Sequence, residues 1–366
     1  MKINAQFNNW INRNPLSVEH LALFRILFAT FYLFTFGGIY RFDWMASFPS
    51  FFYNPPPSFG SLFDSFPNVY FLHGVNLVLP VLAIFVLMGY KTRYTSLLFG
   101  LLLIVNSSFL NSFGKISHSH LVPFTALIFA FSGWGAKFSF DEFLNKRKLH
   151  IKKRDFNVVP FYALIISFAF FTSGFSKLIG GWLDINYQAT RYLMCANAEF
   201  LDRYNLLTSF FIEQVHSRII WEIIDWTIVT IEIAPLLLLF YPKYFRISMF
   251  LIATFHVGVY FLLNISFGFY PLLYLVFIIR WPDSPTIIRM CEIGEKYNIA
   301  NYKKFYILLA VLIYTIYIFI LYGVDLKAEE GQSINLLISL FISYFIAFYF
   351  FCEPLFKKKG NSDKQL

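Results

Sequence analysis

The stretch VYFLHGVNLVLPVLAIFVLMGY, from Val69 to Tyr90, is an apolar run that contains no Asp, Glu, Lys or Arg. A helix needs about 20 apolar residues to cross the hydrocarbon core of a bilayer, because it rises about 1.5 Å per residue. In a helix every backbone N–H and C=O group is paired within the segment, as lipid requires. The stretch therefore predicts a transmembrane helix.

Similar apolar runs occur along the rest of the chain. The sequence predicts an all-α fold, a polytopic membrane helical bundle of about nine to ten transmembrane helices with no soluble domain. The transmembrane domain is predicted to cover residues 1–356, and residues 357–366 to form a disordered cytoplasmic tail. Residues 245–279 are compatible with two helices or with one long broken helix. The predicted spans are His20–Tyr40, Val69–Tyr90, Tyr94–Gly114, His118–Ala136, Val158–Ser176, Ile219–Tyr241, Phe245–Leu263, Ile265–Ile279, Phe305–Gly323 and Ile334–Phe351.

The composition agrees with a lipid-facing surface. Apolar residues make up 58% of the chain and charged residues 14%, whereas a soluble domain carries about 25% charged residues. The net charge of +9 is compatible with nucleic-acid binding, but the basic residues lie in short loops between apolar runs. Such loops face anionic lipid headgroups. The predicted partner is therefore the lipid bilayer, and no nucleic acid is expected.

The distribution of basic residues predicts the orientation. Of the 30 Lys and Arg residues, 22 fall in segments that are cytoplasmic if the N-terminus is inside, 7 fall in external segments, and Arg25 lies within the first span. Cytoplasmic loops carry the excess of Lys and Arg. The chain is therefore predicted to be a multi-pass protein of the cell membrane with both termini in the cytoplasm.

Two predicted external segments are too long for simple turns. Residues 41–67 contain Asn54-Pro55-Pro56-Pro57 and several Phe, and the prolines forbid a continuous helix, so an extended or re-entrant cap is expected. Residues 180–218 are mixed polar and aromatic. They predict a helix lying on the outer surface around Tyr187–Tyr204.

Glu232 is an acidic residue inside a predicted span. It lies seven residues after Asp225, which is about two helical turns, so both carboxylates share one helix face. A charge at the bilayer centre costs at least about 2.5 kcal/mol. One interpretation is a structural ion pair, for example with Arg25. The other is a proton acceptor or relay.

Lys177 ends the fifth predicted span, in Thr172-Ser173-Gly174-Phe175-Ser176-Lys177-Leu178. A lysine at a helix end commonly extends its ammonium to water. The alternative is a desolvated amine, which can act as a base near neutral pH. The predicted topology places Lys177 near the outer face.

Three histidines are further candidates. His118 and His120 open the fourth predicted span near the outer face, and His256 lies within the seventh. Residues two apart point to different sides of a helix, about 200° apart. No carboxylate or HxxxH spacing accompanies them, so no metal site is predicted, and a neutral imidazole serving in hydrogen bonding or acid–base chemistry is favoured. As a lone histidine, His256 is more typical of a hydrogen-bonded core residue.

Several of these residues occur in an order that resembles a known family. The segments are Leu23–Leu27, Gly114–Leu121 with Phe131–Gly135, Ser173–Leu178 with Trp182, and Glu232–Leu236 followed by Phe255–Gly258. From about Leu16 to Trp281 the chain resembles the horizontally transferred transmembrane (HTTM) family, which shares its membrane region with vitamin K-dependent gamma-carboxylase.

The resemblance implies a membrane enzyme with an outward-facing Lys/His site. Lys177 matches the lysine that deprotonates vitamin K hydroquinone in the carboxylase, and His118 matches a catalytic histidine. Glu232 and His256 match an intramembrane acid and a Phe-His pair. The implied cofactor is a reduced quinone of the menaquinone or vitamin K type, in a Phe-rich interior. The carboxylase also has a large C-terminal extramembrane part that recognises a propeptide, with no counterpart before Leu366. Gamma-carboxylation is thus the nearest known chemistry, and a propeptide-bearing substrate is not expected.

Two other functions are compatible with the sequence. The first is a non-catalytic scaffold or maturation factor for an exported peptide or protein, with the outer segments as its docking face. The second is a proton-coupled transporter that uses Asp225 and Glu232 as proton sites and broken helices, such as Gly258–Pro271, at the substrate.

Overall fold

Every regular element in the residues that the structure describes is a helix. The computed structural model describes residues 16–36, 43–113, 120–144, 157–201, 205–279, 284–296 and 328–360. The helices are α1 (Val18–Phe36), α2 (Val69–Met88), α3 (Thr92–Leu110), α4 (Leu121–Phe129), α5 (Phe140–Leu144), α6 (Val159–Ile179), α7 (Ala189–Leu201), α8 (Leu206–Gln214), α9 (Arg218–Leu238), α10 (Pro242–Leu263), α11 (Tyr270–Leu273), α12 (Leu275–Ile278), α13 (Pro285–Lys296) and α14 (Ala328–Gly360).

Six of these helices are long and apolar enough to cross a membrane, which supports the predicted membrane protein. Their apolar segments are Val18–Thr35, Val69–Met88, Thr92–Leu110, Val159–Ile179, Pro242–Leu263 and Leu336–Pro354. Helix α9 has 21 residues, but it carries four charged side chains, namely Arg218, Glu222, Asp225 and Glu232.

Two predicted spans have shorter helices than expected. The span His118–Ala136 holds the nine-residue helix α4, whose length of about 14 Å is less than the hydrocarbon thickness of about 30 Å. After α4 the hydrogen bonds become those of successive turns, from the Phe131 N–H to the Ile128 carbonyl and from the Ser132 N–H to the Phe129 carbonyl, and Gly133 follows with φ 75°. In residues 265–279 the structure has two helices of four residues each, α11 and α12. The predicted span Phe305–Gly323 lies outside the described residues.

The described chain forms two units, which are considered separately. The N-terminal unit contains residues 16–158 and 284–335, and the C-terminal unit contains residues 159–279 and 336–360, each counted over its described residues. Helices α1 to α5 belong to the N-terminal unit. Helices α6 to α12 belong to the C-terminal unit, together with α14 from residue 336 onward.

Arg25 organises the N-terminal unit. Its side chain is fully buried, and its guanidinium donates to the carbonyl oxygens of Val86 at 2.6 Å, Trp134 at 3.0 Å and Phe138 at 2.6 Å. Guanidinium has five N–H donors in a planar fork, so it can satisfy several carbonyls at once. Gly89 follows α2 with φ 68°, and a Cβ there would lie 2.8 Å from an Arg25 nitrogen. Glycine therefore allows the close approach.

The first predicted external segment, which the structure describes from residue 43 to 67, is a loop that agrees with the predicted absence of a continuous helix. It contains three short 3-10 helices, Asp43–Ser47, Ser50–Phe52 and Phe59–Leu62. Phe66 stacks on Phe113 at 4.7 Å. The Tyr53 hydroxyl donates to the carbonyl of Gly60 at 2.6 Å, and burial raises the pKa of this hydroxyl above its usual value.

Helices α6 and α9 form the most extensive helix pair of the C-terminal unit, and α10 packs against α9. A buried core cluster of Met194, Trp221, Val259 and Leu263 joins α7, α9 and α10. The α7 helix falls within the predicted surface helix around Tyr187–Tyr204. Arg246 ties α10 to its neighbours by donating to the carbonyl oxygens of Ile278 at 2.6 Å and Phe351 at 2.8 Å.

Candidate functional site

The last turns of α6 present two polar side chains on one helix face. Ser173 and Lys177 are four residues apart, so they are neighbours on the helix surface. The Lys177 ammonium donates to Ser173 Oγ at 2.8 Å. A cation at this position also interacts favourably with the carbonyl end of the helix dipole. The sequence Ser173-x-x-x-Lys177 thus builds half of the site within one element.

Gly174 lets α9 approach this face closely. A Cβ at residue 174 would lie 2.9 Å from both Glu232 Cβ and Ile233 Cγ1, closer than real Cβ atoms pack. The absent side chain therefore allows the backbone of α6 to lie directly against the turn of α9 that carries Glu232. This contact brings the carboxylate within reach of Lys177.

The Glu232 carboxylate receives the lysine with both oxygens. Lys177 Nζ lies 2.8 Å from Oε1 and 2.6 Å from Oε2 of Glu232. Ser173 Oγ lies 3.2 Å from Glu232 Oε1, so the three side chains form a closed triangle of hydrogen bonds. Hydrogen bonds between ionised groups are shorter and roughly twice as strong as those between neutral groups.

The two members of the pair differ in exposure. The side chain of Glu232 is 5% exposed and that of Lys177 is 20% exposed. The Trp182 ring lies beside the ammonium, 5.3 Å from Nζ to the ring centroid, within the range of a cation–π contact. The carboxylate is thus held inside the helix pair, while one-fifth of the lysine side chain is exposed and its ammonium lies next to an aromatic surface.

This geometry decides between interpretations that the sequence left open. Lys177 turns toward Glu232 rather than extending its ammonium into water. Glu232 is in an ion pair, and its partner within the C-terminal unit is Lys177. The Arg25 guanidinium binds backbone carbonyls within the N-terminal unit.

Asp225 does not join the pair. It is fully buried on α9, and its Oδ1 accepts from the backbone N–H of Thr190 at 2.9 Å and from the Thr190 hydroxyl. Asp225 thus binds the start of α7, where the N–H groups of a helix lack intrahelical partners. A shared helix face does not place Asp225 and Glu232 in one site.

His256 is buried in an aromatic cluster of the C-terminal unit. Its Nδ1 lies 2.7 Å from the carbonyl oxygen of Ile252, and a carbonyl can only accept, so this nitrogen carries the proton. Its Nε2 lies 3.4 Å from the Tyr274 hydroxyl, and the ring packs against Phe267 at 4.5 Å. These contacts are those of a hydrogen-bonded core histidine.

His120 belongs to the N-terminal unit, directly before α4. Its Nε2 lies 3.2 Å from the side-chain nitrogen of Asn111, so this ring nitrogen accepts a hydrogen bond from the amide. His118, the histidine matched to a catalytic residue by the family resemblance, lies outside the described residues.

Ser173 is the site residue that the sequence interpretation missed. The available signal was its spacing of four residues before Lys177, which places a hydroxyl beside the ammonium on any helix. For metals, no group of three or more His, Cys, Asp or Glu side chains comes together in the part of the chain that the structure describes.

No family model matches the chain, and neither a curated protein nor a solved structure is significantly similar to it.

Proposed function

We propose that this protein is a membrane-embedded enzyme in which Lys177 and Glu232 remove a proton from the hydroxyl group of an amphiphilic substrate or cofactor. The observation that carries the proposal is the two-oxygen contact between a buried carboxylate and the ammonium of a lysine whose side chain is one-fifth exposed. A general base must lie within hydrogen-bond reach of the proton that it takes. Among the described candidates, Lys177 has a partly exposed side chain and also contacts a second group that can hold a proton, the Glu232 carboxylate.

The pair can move a proton without releasing it to water. When the proton lies on Glu232, the Lys177 nitrogen has a lone pair that can accept a proton from a hydroxyl. The 2.6 Å contact between Nζ and Oε2 provides the path between the two groups. Ser173 holds both Nζ and Oε1 in place, so the amine is oriented before a substrate arrives. In a water-poor site such preorganised contacts are stronger than in water.

The side chains around Lys177 suit a reduced quinone of the menaquinone type, which is the cofactor that the family resemblance implies. A reduced quinone supplies acidic ring hydroxyls and an electron-rich ring when it is bound. Lys177 would contact such a hydroxyl, and the Trp182 indole offers an aromatic surface beside it. His118 would be the further hydrogen-bond partner that the resemblance assigns.

We further propose the membrane arrangement that the basic residues predict. The chain would cross the cell membrane about nine to ten times, with both termini in the cytoplasm and with Lys177 near the outer face. The 22-to-7 distribution of Lys and Arg supports this arrangement. An outward-facing site could act on an exported peptide or protein.

The test is the oxidation of reduced menaquinone under air by the full-length protein in lipid nanodiscs, followed by absorbance. The wild type should act faster than empty nanodiscs. Lys177→Arg keeps a cation for Glu232, but guanidinium cannot be deprotonated in proteins. This variant should therefore lose about 100-fold in rate, as expected for removal of a general base. The matched control, Lys243→Arg at an exposed position near the start of α10, should match the wild type.

Variants of Lys177 and Glu232 distinguish the alternative functions. An unchanged rate in Lys177→Arg contradicts the proposed base. A cellular phenotype that survives Lys177→Ala would favour the scaffold for an exported peptide or protein. Proton-coupled uptake that is abolished by Glu232→Gln would favour the transporter.

A further inference from the structure

A largely apolar groove runs along α9. It has a volume of about 460 Å³, which is within the range of about 300–1,000 Å³ typical of small-molecule sites. Ile219, Ile223, Trp226 and Thr230 line it, and the first three of these side chains are more than half exposed. A groove of this kind on a membrane protein is suited to a hydrocarbon chain.

The groove is separate from the Lys177–Glu232 pair. At about 100° per residue, its four main lining residues fall within about 60° of one another on α9. Glu232 lies about 150° around the helix from their centre, where it faces α6. An occupant of the groove therefore contacts neither Lys177 nor Glu232, and the inference does not depend on the proposed function.

One end of the groove carries two opposite charges that do not pair with each other. Arg218 and Glu222 are four residues apart on α9 and both line the groove. The Arg218 guanidinium instead donates to the Ile185 carbonyl oxygen and to Asn186 Oδ1. Glu222 is only 8% exposed, and its Oε1 is buried without a hydrogen-bond partner among the described residues.

An unsatisfied buried carboxylate oxygen is costly, so it indicates a missing hydrogen-bond donor. The positive side of the same end has two contributions. Arg218 supplies a cation, and the first N–H groups of α9 form the positive end of the helix dipole, which favours phosphate. The end of the groove is thus complementary to a ligand that carries a phosphate and an N–H donor close together.

We propose that the groove binds one aminophospholipid molecule of the phosphatidylethanolamine type. Its phosphate contacts Arg218 and the start of α9, its ammonium donates to Glu222, and an acyl chain lies along Ile223 and Trp226. From Arg218 to Ile231 the groove extends about 20 Å along the helix axis. That length accommodates a chain reaching from the headgroup level to the bilayer midplane, about 15 Å.

The experiment uses the full-length protein, delipidated in detergent and titrated with single phospholipids under native mass spectrometry. Phosphatidylethanolamine should bind about tenfold more tightly than phosphatidylcholine, because the choline nitrogen has no N–H to donate. Phosphatidylethanolamine should also bind more tightly than phosphatidylglycerol, because phosphatidylglycerol has hydroxyl donors but no positive charge for Glu222. Equal binding of ethanolamine and choline lipids, or preferred binding of phosphatidylglycerol, would overturn the proposal.

Variants locate the binding within the groove. Glu222→Gln should remove the preference for ethanolamine over choline while leaving phosphatidylcholine binding unchanged, which also shows that the variant is folded. Glu213→Gln, on the exposed surface of α8, is the matched control and should keep the preference. Ile223→Trp fills the groove and should abolish lipid retention, whereas Ile220→Trp, an exposed position on α9 outside the groove lining, should not. Lipid binding by Ile223→Trp at the wild-type level contradicts the proposed site.

Discussion

Lys177 and Glu232 are each costly inside a helical bundle, and each compensates the other. A buried charge that loses its partner is strongly destabilising, whereas replacing both charges by apolar side chains of similar size is often nearly neutral. The Lys177–Glu232 contact is therefore weak evidence for a role in stability alone. The pair is also suited to the proton transfer proposed above, because two adjacent ionisable groups can share one proton.

At the residue scale we predict a pronounced non-additivity between these two positions. Lys177→Met should lower the free energy of unfolding by about 3 kcal/mol, because it leaves the Glu232 carboxylate without its cation. The double variant Lys177→Met/Glu232→Leu should recover most of that loss. Denaturant unfolding of the single and double variants in one detergent gives the coupling energy.

The additivity of the two substitutions would contradict this prediction. If Lys177→Met is as stable as the wild type, the ion pair does not contribute to the free energy of unfolding, and the short distances between Nζ and the carboxylate oxygens do not reflect a strong interaction. Either result is independent of any assay of quinone oxidation.

The sequence identified these residues individually but not as a pair. Lys177 and Glu232 stand out because charged residues are expensive in apolar runs. Their mutual contact depends on how α6 crosses α9, which is a tertiary property that no spacing along one helix contains. Ser173 illustrates the reverse case, since its distance of four residues from Lys177 was readable from the sequence.

At the scale of elements, the α6–α9 contact depends on one missing side chain. Gly174 lies in the interior of α6, where glycine costs about 1 kcal/mol relative to alanine. The structure shows what offsets that cost, because a Cβ at this position would collide with Glu232 and Ile233. The glycine is thus a packing requirement of the site rather than a flexible point.

We predict opposite effects of the same substitution at two helical glycines. Gly174→Ala should destabilise the protein by about 1–2 kcal/mol, because overpacking costs about 1–3 kcal/mol and exceeds the gain in helix propensity. Gly258→Ala in α10 is the matched control. A Cβ there meets no atom of the described residues within 4 Å, so this variant should be as stable as the wild type or up to about 1 kcal/mol more stable. Thermal unfolding of both variants in the same detergent measures the difference.

Equal effects at the two positions would show that α6 and α9 can separate without cost. In that case the close approach at Gly174 would not be what holds Glu232 against Lys177.

Element boundaries could be predicted well only where a long apolar run forms one helix. The run Val69–Tyr90 becomes α2 almost unchanged, since Asn68 caps its start by accepting from the Phe71 N–H at 2.9 Å. The region around α4 was less predictable, because the turn at Gly133 interrupts an apolar run whose hydrophobicity continues. Hydropathy indicates which segments are apolar enough to lie in lipid, but it does not indicate where the backbone turns.

At the scale of the whole molecule, the native cysteines provide a test of the proposed orientation. Cys195 is predicted to be external and Cys352 to lie near the cytoplasmic face, and both side chains are partly accessible. A membrane-impermeant maleimide should therefore label Cys195 in intact cells and Cys352 only after permeabilisation. Variants that retain a single cysteine, with the others replaced by Ala, make the measurement unambiguous.

Labelling of Cys352 in intact cells would show that the orientation is the reverse of the proposed one. It would place Lys177 on the cytoplasmic side and exclude an outward-facing site, while the chemistry proposed for the Lys177–Glu232 pair would remain possible.

The membrane character of the chain follows from its composition, because lipid selects for apolar helices with all backbone groups paired. The division into two units does not follow from it. Both units consist of similar Phe-rich helices, and what distinguishes them is which helices pack together. A buried charged group needs partners. Arg25 has backbone carbonyl oxygens as partners and Glu232 has Lys177, and a hydropathy profile does not distinguish these two arrangements.

The guanidinium of Arg25 has a mechanical consequence for the N-terminal unit. It is bound at once to the last turn of α2 and to the chain just after α4, through Val86, Trp134 and Phe138. Moving one of these segments alone would strand carbonyl groups in a dry interior. The two segments must therefore travel together in any rearrangement of this unit, and spin labels attached near residues 88 and 136 should report one constant separation in every state of the protein.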